Sequence, residues 1–345
     1  MVVMACCMPL MLCAEVWEHA MLYPSVDQYG DNITLSGKVC VPLDKQPKGI
    51  ILIPHYTITA NEQAPSIHVT ADAPYFWEDF VLLMPDYIGY GVTSDRVHPY
   101  LAGELTARNG IDMVFAAQPL LDSLDLKIPL DSLYIFGYSQ GGASAVWTMR
   151  VIEEQYADRL HLKGCYAGGG PYDVAWTYDD AVATGRVTLP AAIAMLVMGT
   201  DAAYDLHLNR ADFFTRSMEK KYMKYIASKK YDGLTIYFKM PNHRLKHWLT
   251  AVGRDKTQPQ TKRLYEGLQR SSIVTADSCP SWTPQAPLYV FHSNKDNIVP
   301  VQCAEQLQRC YPDLPNVTYD IGNYGNHIQA SAEFRKRVRE MLNAL

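Results

Sequence analysis

Residues Leu133 to Trp147 read LYIFGYSQGGASAVW. Leu133 to Tyr138 is a short apolar run rich in β-formers, the pattern of a fully buried strand. From Gly141 the residues turn small and then apolar at helical spacing, which predicts a helix over Gly141 to Tyr156. Between them lies Gly137-Tyr138-Ser139-Gln140-Gly141, a G-x-S-x-G pentapeptide in a strand–turn–helix context. A serine on so sharp a turn needs unusual backbone angles, so the residues two before and two after it must be small. The turn lifts the Ser139 oxygen out of the sheet. The helix N-terminus below it favours developing negative charge. The pentapeptide alone is common by chance, and its flanks give it meaning. The competing reading is a glycine-rich turn of an unrelated α/β protein.

Other buried-strand patterns lie on either side of this unit. Thr34 to Val41, Gly49 to Pro54 (GIILIP), Phe80 to Pro85 (FVLLMP), Leu162 to Ala167, Pro287 to Phe291 and Val317 to Ile321 all read as strands. Helical spacing marks Glu104 to Ser123, Val301 to Cys310 and Ala330 to Asn343. Strands alternating with helices predict an α/β fold, a mainly parallel sheet with helices on both faces. The alternation breaks between about Gly170 and Pro280. There an apolar stretch, Leu189 to Met198, precedes a charged amphipathic one, Phe213 to Lys229. The apolar stretch is about half the length of a membrane span and opens at Pro190. This segment predicts a helical insertion over the sheet, residues 171–280, with the core made by 15–170 and 281–345.

An unactivated serine is a poor nucleophile and needs a base. In folds built on this turn the chain order is serine, acid, histidine. Asp296 sits in LYVFHSNKDNIVP, in the loop beyond the strand that starts at Pro287. His327 sits in VTYDIGNYGNHI, in a loop expected before the final helix, and is the only histidine after Asp296. The acid's task is to hold the imidazole tautomer and stabilise its charged form. Asp277 precedes the strand and Asp320 lies inside the next one, so both are weaker candidates. For the oxyanion, one donor is the Gln140 backbone N–H, and the other is expected after GIILIP. That loop reads His55-Tyr56-Thr57, and the Thr57 N–H is the first choice with Tyr56 second. The glycines of Asp86 to Gly91 suit a tight loop at the sheet's C-terminal edge, and both a structural turn and a substrate contact remain open there.

The chain has 345 residues and a net charge of -5. Its Lys and Arg are spread out, apart from pairs such as Lys220–Lys221 and Lys229–Lys230, which argues against a nucleic-acid binder. Residues 1–14, MVVMACCMPLMLCA, are apolar and uncharged. They are too short for a stable membrane span and read as a secretory signal peptide with a cleavage site before Glu15. The protein is then exported, periplasmic or secreted; without such a signal it would be cytoplasmic. Five cysteines would remain: Cys40, Cys165, Cys279, Cys303 and Cys310. An odd set with no close pairing is not a disulfide framework. No spacing suggests a metal site.

Together, GYSQGG, PDYIGYG, GGGPYD (Gly168 to Asp173), APLYVFHSNKDNIVP and GNHI resemble the α/β-hydrolases near the secretory lipases and related bacterial esterases. The resemblance runs from about Gly49 to the C-terminus. It implies the α/β-hydrolase fold, a helical cap after GGGPYD and a Ser139–Asp296–His327 triad. It also implies carboxylic ester hydrolysis of a small-molecule or lipid-like ester through an acyl-enzyme, with no cofactor. Tyr56 replaces the glycine usual after the loop histidine. An acyltransferase or a serine peptidase would keep the same triad. A non-catalytic binding protein would usually have lost one of its members.

Overall fold

The computed structural model describes residues 15–126, 128 and 131–344. The expected signal segment, residues 1–14, lies outside them. The chain begins with β1 (Val16–Val26) and β2 (Asn32–Pro42), a long antiparallel hairpin. Then come β3 (Ile50–Leu52), β4 (Val81–Pro85), α1 (Gly103–Ser123), β5 (Leu133–Tyr138), α2 (Gln140–Gln155) and β6 (Leu162–Gly168). Among the described residues, with β7 (Leu288–Ser293) and β8 (Val317–Gly322) further along the chain, the strands lie in the order β1-β2-β4-β3-β5-β6-β7-β8. From β4 through β8 all pairings are parallel.

The apolar runs are continuous because the sheet is covered twice. Ile50, Leu52, Leu133 and Ile135 pack into one cluster with residues of α1 and α2. Their neighbours Ile51 and Phe136 point the other way, into a second cluster with Phe334 and Val338 of the last helix. The alternation along each strand thus sends successive side chains into different cores.

Between β6 and β7 (Leu288–Ser293) the chain leaves the sheet. It forms α3 (Val174–Thr184), α4 (Pro190–Tyr204), the short α5 (Arg210–Phe213), α6 (Met223–Ala227), α7 (Gly233–Lys239) and α8 (Pro259–Ser271). These helices share a third cluster, including Tyr178, Leu196, Phe213, Trp248 and Leu264. The segment's two ends meet: Ile273 N–H donates to the Tyr172 carbonyl (2.9 Å), and Val174 N–H to Ser272 Oγ (2.9 Å). After β7 come α9 (Gln302–Cys310), β8 (Val317–Gly322) and α10 (His327–Asn343). Among the described residues no helix is long and apolar enough to cross a membrane.

Two expectations need correction. Cys279 and Cys310 form a disulfide, with Cα atoms 5.4 Å apart, which ties the stretch before β7 to the end of α9. The cysteines therefore do pair in part, while Cys40, Cys165 and Cys303 are free and buried. The final helix also begins three residues earlier than its apolar spacing suggests. Asn326 caps it, accepting from Gln329 N–H, while Gln329 Oε1 accepts from Asn326 N–H. His327 is thus the first residue of α10, where its ring is held by a helix rather than by a loop.

Candidate active site

Ser139 joins β5 to α2 with φ 60° and ψ -122°. A positive φ is strained for a residue with a Cβ, costing on the order of 1–3 kcal/mol. The surroundings enforce it. Ser139 N–H donates to the Gly168 carbonyl on β6 (2.8 Å), and Gly142 N–H to the Ser139 carbonyl (2.9 Å). A Cβ at Gly137 would lie 2.1 Å from the Gly141 carbonyl oxygen, and one at Gly141 would lie 2.1 Å from that of Pro54. The second contact also places the loop after β3 directly against the serine turn.

Asp296 stands in the loop after β7 with no exposed side-chain surface. One carboxylate oxygen accepts from the N–H groups of Ile298 (2.8 Å) and Val299 (2.9 Å). The other accepts from His327 Nδ1 at 2.5 Å. Burial works to raise this carboxyl. The hydrogen bonds from the His327 ring and the Ile298 N–H, with the attraction of the imidazole it faces, outweigh it and hold the acid below its usual range. The Nδ1–H partner fixes the His327 tautomer that leaves Nε2 as an acceptor. Tyr138, next to the serine, donates its hydroxyl to the His327 carbonyl (2.7 Å) and so links β5 to α10.

The sequence did not single out His292. Its Nε2 lies 3.7 Å from Asp296 and donates to the Val299 carbonyl (3.1 Å). Burial pushes this imidazole's pKa down. Of the weaker acid candidates, Asp320 accepts from Tyr289, Tyr324 and Arg337. Asp277 lies in an exposed turn closed by Thr275 and Ser278.

Tyr56, Thr57, Ser139, Gln140 and His327 line one cavity of about 600 Å³. Its outer wall comes from the insertion, with Leu189, Ile193 and Leu196 among the apolar lining. The volume is typical of small-molecule sites. Thr57 is steadied by Tyr100, whose hydroxyl lies 2.8 Å from Thr57 Oγ1. The Asp86–Gly91 loop has largely structural bonds: Asp86 accepts from Ser36 Oγ (2.5 Å) and Ser66 N–H (2.7 Å).

His98 is the other residue that no motif announced. It is buried among Tyr87, Tyr90 and Tyr100. Nδ1–H donates to the Ile88 carbonyl (2.7 Å), which leaves Nε2 to accept from Gln140 Nε2 (2.8 Å). Burial pushes its pKa down to about 3.

The fold is shared with the rice cell wall degrading esterase LipA from Xanthomonas oryzae. The TM-score is 0.79 at 21% identity, over 95% of this chain and 89% of that one. It is also shared with Candida antarctica lipase A, at a TM-score of 0.65 and 19% identity, over 90% and 73%. In sequence the chain is 23% identical to a secreted triacylglycerol lipase of Malassezia restricta over 240 residues, 68% of this chain and 46% of that one. A secreted triacylglycerol lipase of Malassezia furfur is 26% identical over 235 residues, 66% and 55%. The chain spans about half the length of these curated relatives. The family model for secretory lipases matches residues 66–333, and the chain belongs to that family.

Proposed function

We propose that this protein hydrolyses carboxylic esters through a Ser139–His327–Asp296 triad. The observation that carries the reading is a serine on a strained turn and a histidine lining one cavity, with a buried carboxylate behind the histidine and bonded to it. Membership of the secretory lipase family supports it.

Ser139 Oγ attacks the ester carbonyl carbon while His327 Nε2 takes the hydroxyl proton. The tetrahedral oxyanion is met by the backbone N–H groups of Gln140 and Thr57, with Tyr56 the alternative donor in that loop. The C–O bond to the alcohol breaks, and His327 returns the proton to the leaving oxygen. Water then attacks the acyl-enzyme and gives a proton to His327; the acyl–Oγ bond breaks, His327 returns that proton to Ser139 Oγ, and the acid leaves. Asp296 stays ionised throughout and stabilises the imidazolium.

Residues 15–170 and 281–345 form the catalytic core in this reading, and 171–280 form a cap that shapes the cavity. Export, with residues 1–14 as the signal, is supported by the relatives named as secreted and by the disulfide, which persists in oxidising compartments.

The test is hydrolysis of p-nitrophenyl esters from acetate to palmitate by wild type and Ser139→Ala. A chain-length-dependent rate that falls about 10⁴-fold or more in the variant supports the triad. Folded wild type with no activity on any ester would overturn hydrolysis of simple esters.

A further inference from the structure

Arg186 and Arg244 face each other across an isolated antiparallel bridge outside the sheet. Leu245 N–H donates to the Gly185 carbonyl and Val187 N–H to the His243 carbonyl, both at 2.9 Å. These bonds flank the arginine pair, which is therefore the close, non-hydrogen-bonded kind, with Cα atoms typically about 4.5 Å apart. Both side chains leave the same face. Like charges placed directly opposite destabilise such a pair.

The frame around them is fixed. Arg244 N–H donates to Asn242 Oδ1 (2.9 Å), and the buried Trp248 donates its indole N–H to the Asn242 carbonyl (2.7 Å). Arg186, Arg244, His243 and Asn242 line a recess that includes no Asp or Glu. Arg186 also lines the cavity that holds Ser139 and His327. Asp180 lines that cavity too. Burial raises its carboxyl. Thr188, two residues on, donates to the Asn297 carbonyl (2.5 Å) beside Asp296.

We propose that Arg186 and Arg244 form an anion-binding clamp at the mouth of the cavity, and that the protein's substrates are esters carrying a carboxylate or phosphate group. Two arginine side chains lining one recess match such an oxyanion in charge and hydrogen-bonding capacity. The assignment rests on the ester-hydrolase reading for the substrate, but not for the clamp.

The experiment pairs mono-4-nitrophenyl glutarate with p-nitrophenyl pentanoate, which differ in a terminal carboxylate against a methyl group. Wild type, Arg186→Gln and Arg244→Gln are compared on both, and each protein's melting temperature is followed with added inorganic phosphate. Wild type favours the glutarate. The glutarate-to-pentanoate ratio of kcat/KM falls about tenfold in each variant, the scale of one charged hydrogen bond. Phosphate raises the wild-type melting temperature and does so less in Arg244→Gln. A wild type that hydrolyses neither ester yet shows this phosphate effect keeps the clamp and discards the ester reading. No phosphate effect in wild type overturns the clamp. An unchanged ratio, with Arg244→Gln instead losing binding to phosphatidylglycerol over phosphatidylcholine vesicles, makes the anion a lipid headgroup and overturns the substrate assignment.

Discussion

At the scale of single residues, Gln140, the proposed oxyanion donor, is braced by a histidine in one enforced tautomer. His98 gives its proton to Ile88 and its lone pair to the Gln140 side chain, and burial keeps it neutral. Gln140 Oε1 has no partner among the described residues, where this bond alone anchors the amide. His98→Ala should lower kcat by about tenfold, less than the about 10²–10³ lost with an oxyanion donor itself. KM should change little, because His98 is not among the residues lining the cavity; steady-state kinetics on one p-nitrophenyl ester gives both numbers. Ser139, Asp296 and His327 could be picked from the sequence because each follows a strand in a fixed chain order. The structure brings the last two into contact and all but Asp296 into the cavity lining. His98 and His292 were illegible, since only tertiary packing brings them to Gln140 and Asp296.

At the scale of elements, the insertion is fastened to the core by Lys229. Its ammonium donates to the carbonyls of Ser94 (3.1 Å), Arg96 (2.5 Å) and Gly89, and lies over the Tyr90 ring. Lys229→Met keeps the stem and removes the donors. It should cost about 1–3 kcal/mol, read from urea unfolding, because three carbonyls lose a charged partner. The parallel strands were legible because burial on both faces makes them continuous apolar runs. β1 was not, because it is a half-exposed edge strand whose residues alternate (VWEHAMLY) with charge among them. The start of α10 was hidden by Gly325 and Asn326, which look like loop residues and serve as the approach and cap of a helix.

At the scale of the whole molecule, folding is linked to pH through buried neutral imidazoles. Burial pushes His55 and His292 down, and His98 to about 3. In the unfolded chain each titrates near about 6.5. As pH falls below that value the unfolded state takes up protons that the native state refuses, so stability falls. Buried carboxyls held high, such as Asp72 and Glu153, act in the opposite sense. Comparison with His98→Ala isolates one histidine. The stability lost between pH 7.5 and 5.5 should be smaller in the variant by about 1.4 kcal/mol, read from urea midpoints. The Cys279–Cys310 bridge spans 31 residues. Its reduction should cost about 2–4 kcal/mol, seen by comparing unfolding with and without dithiothreitol. This pairing was illegible because no spacing rule joins cysteines so far apart.

The joined ends at Tyr172 and Ile273 make the stretch between them a detachable module in the topological sense. It leaves and re-enters the sheet at one point, between two strands that already pair. Its sequence can lengthen, shrink or be exchanged without changing the register of β6 against β7. Lineages of this architecture can therefore diversify what they accept by rewriting one contiguous block of the gene, while the residues beneath it stay under separate constraint.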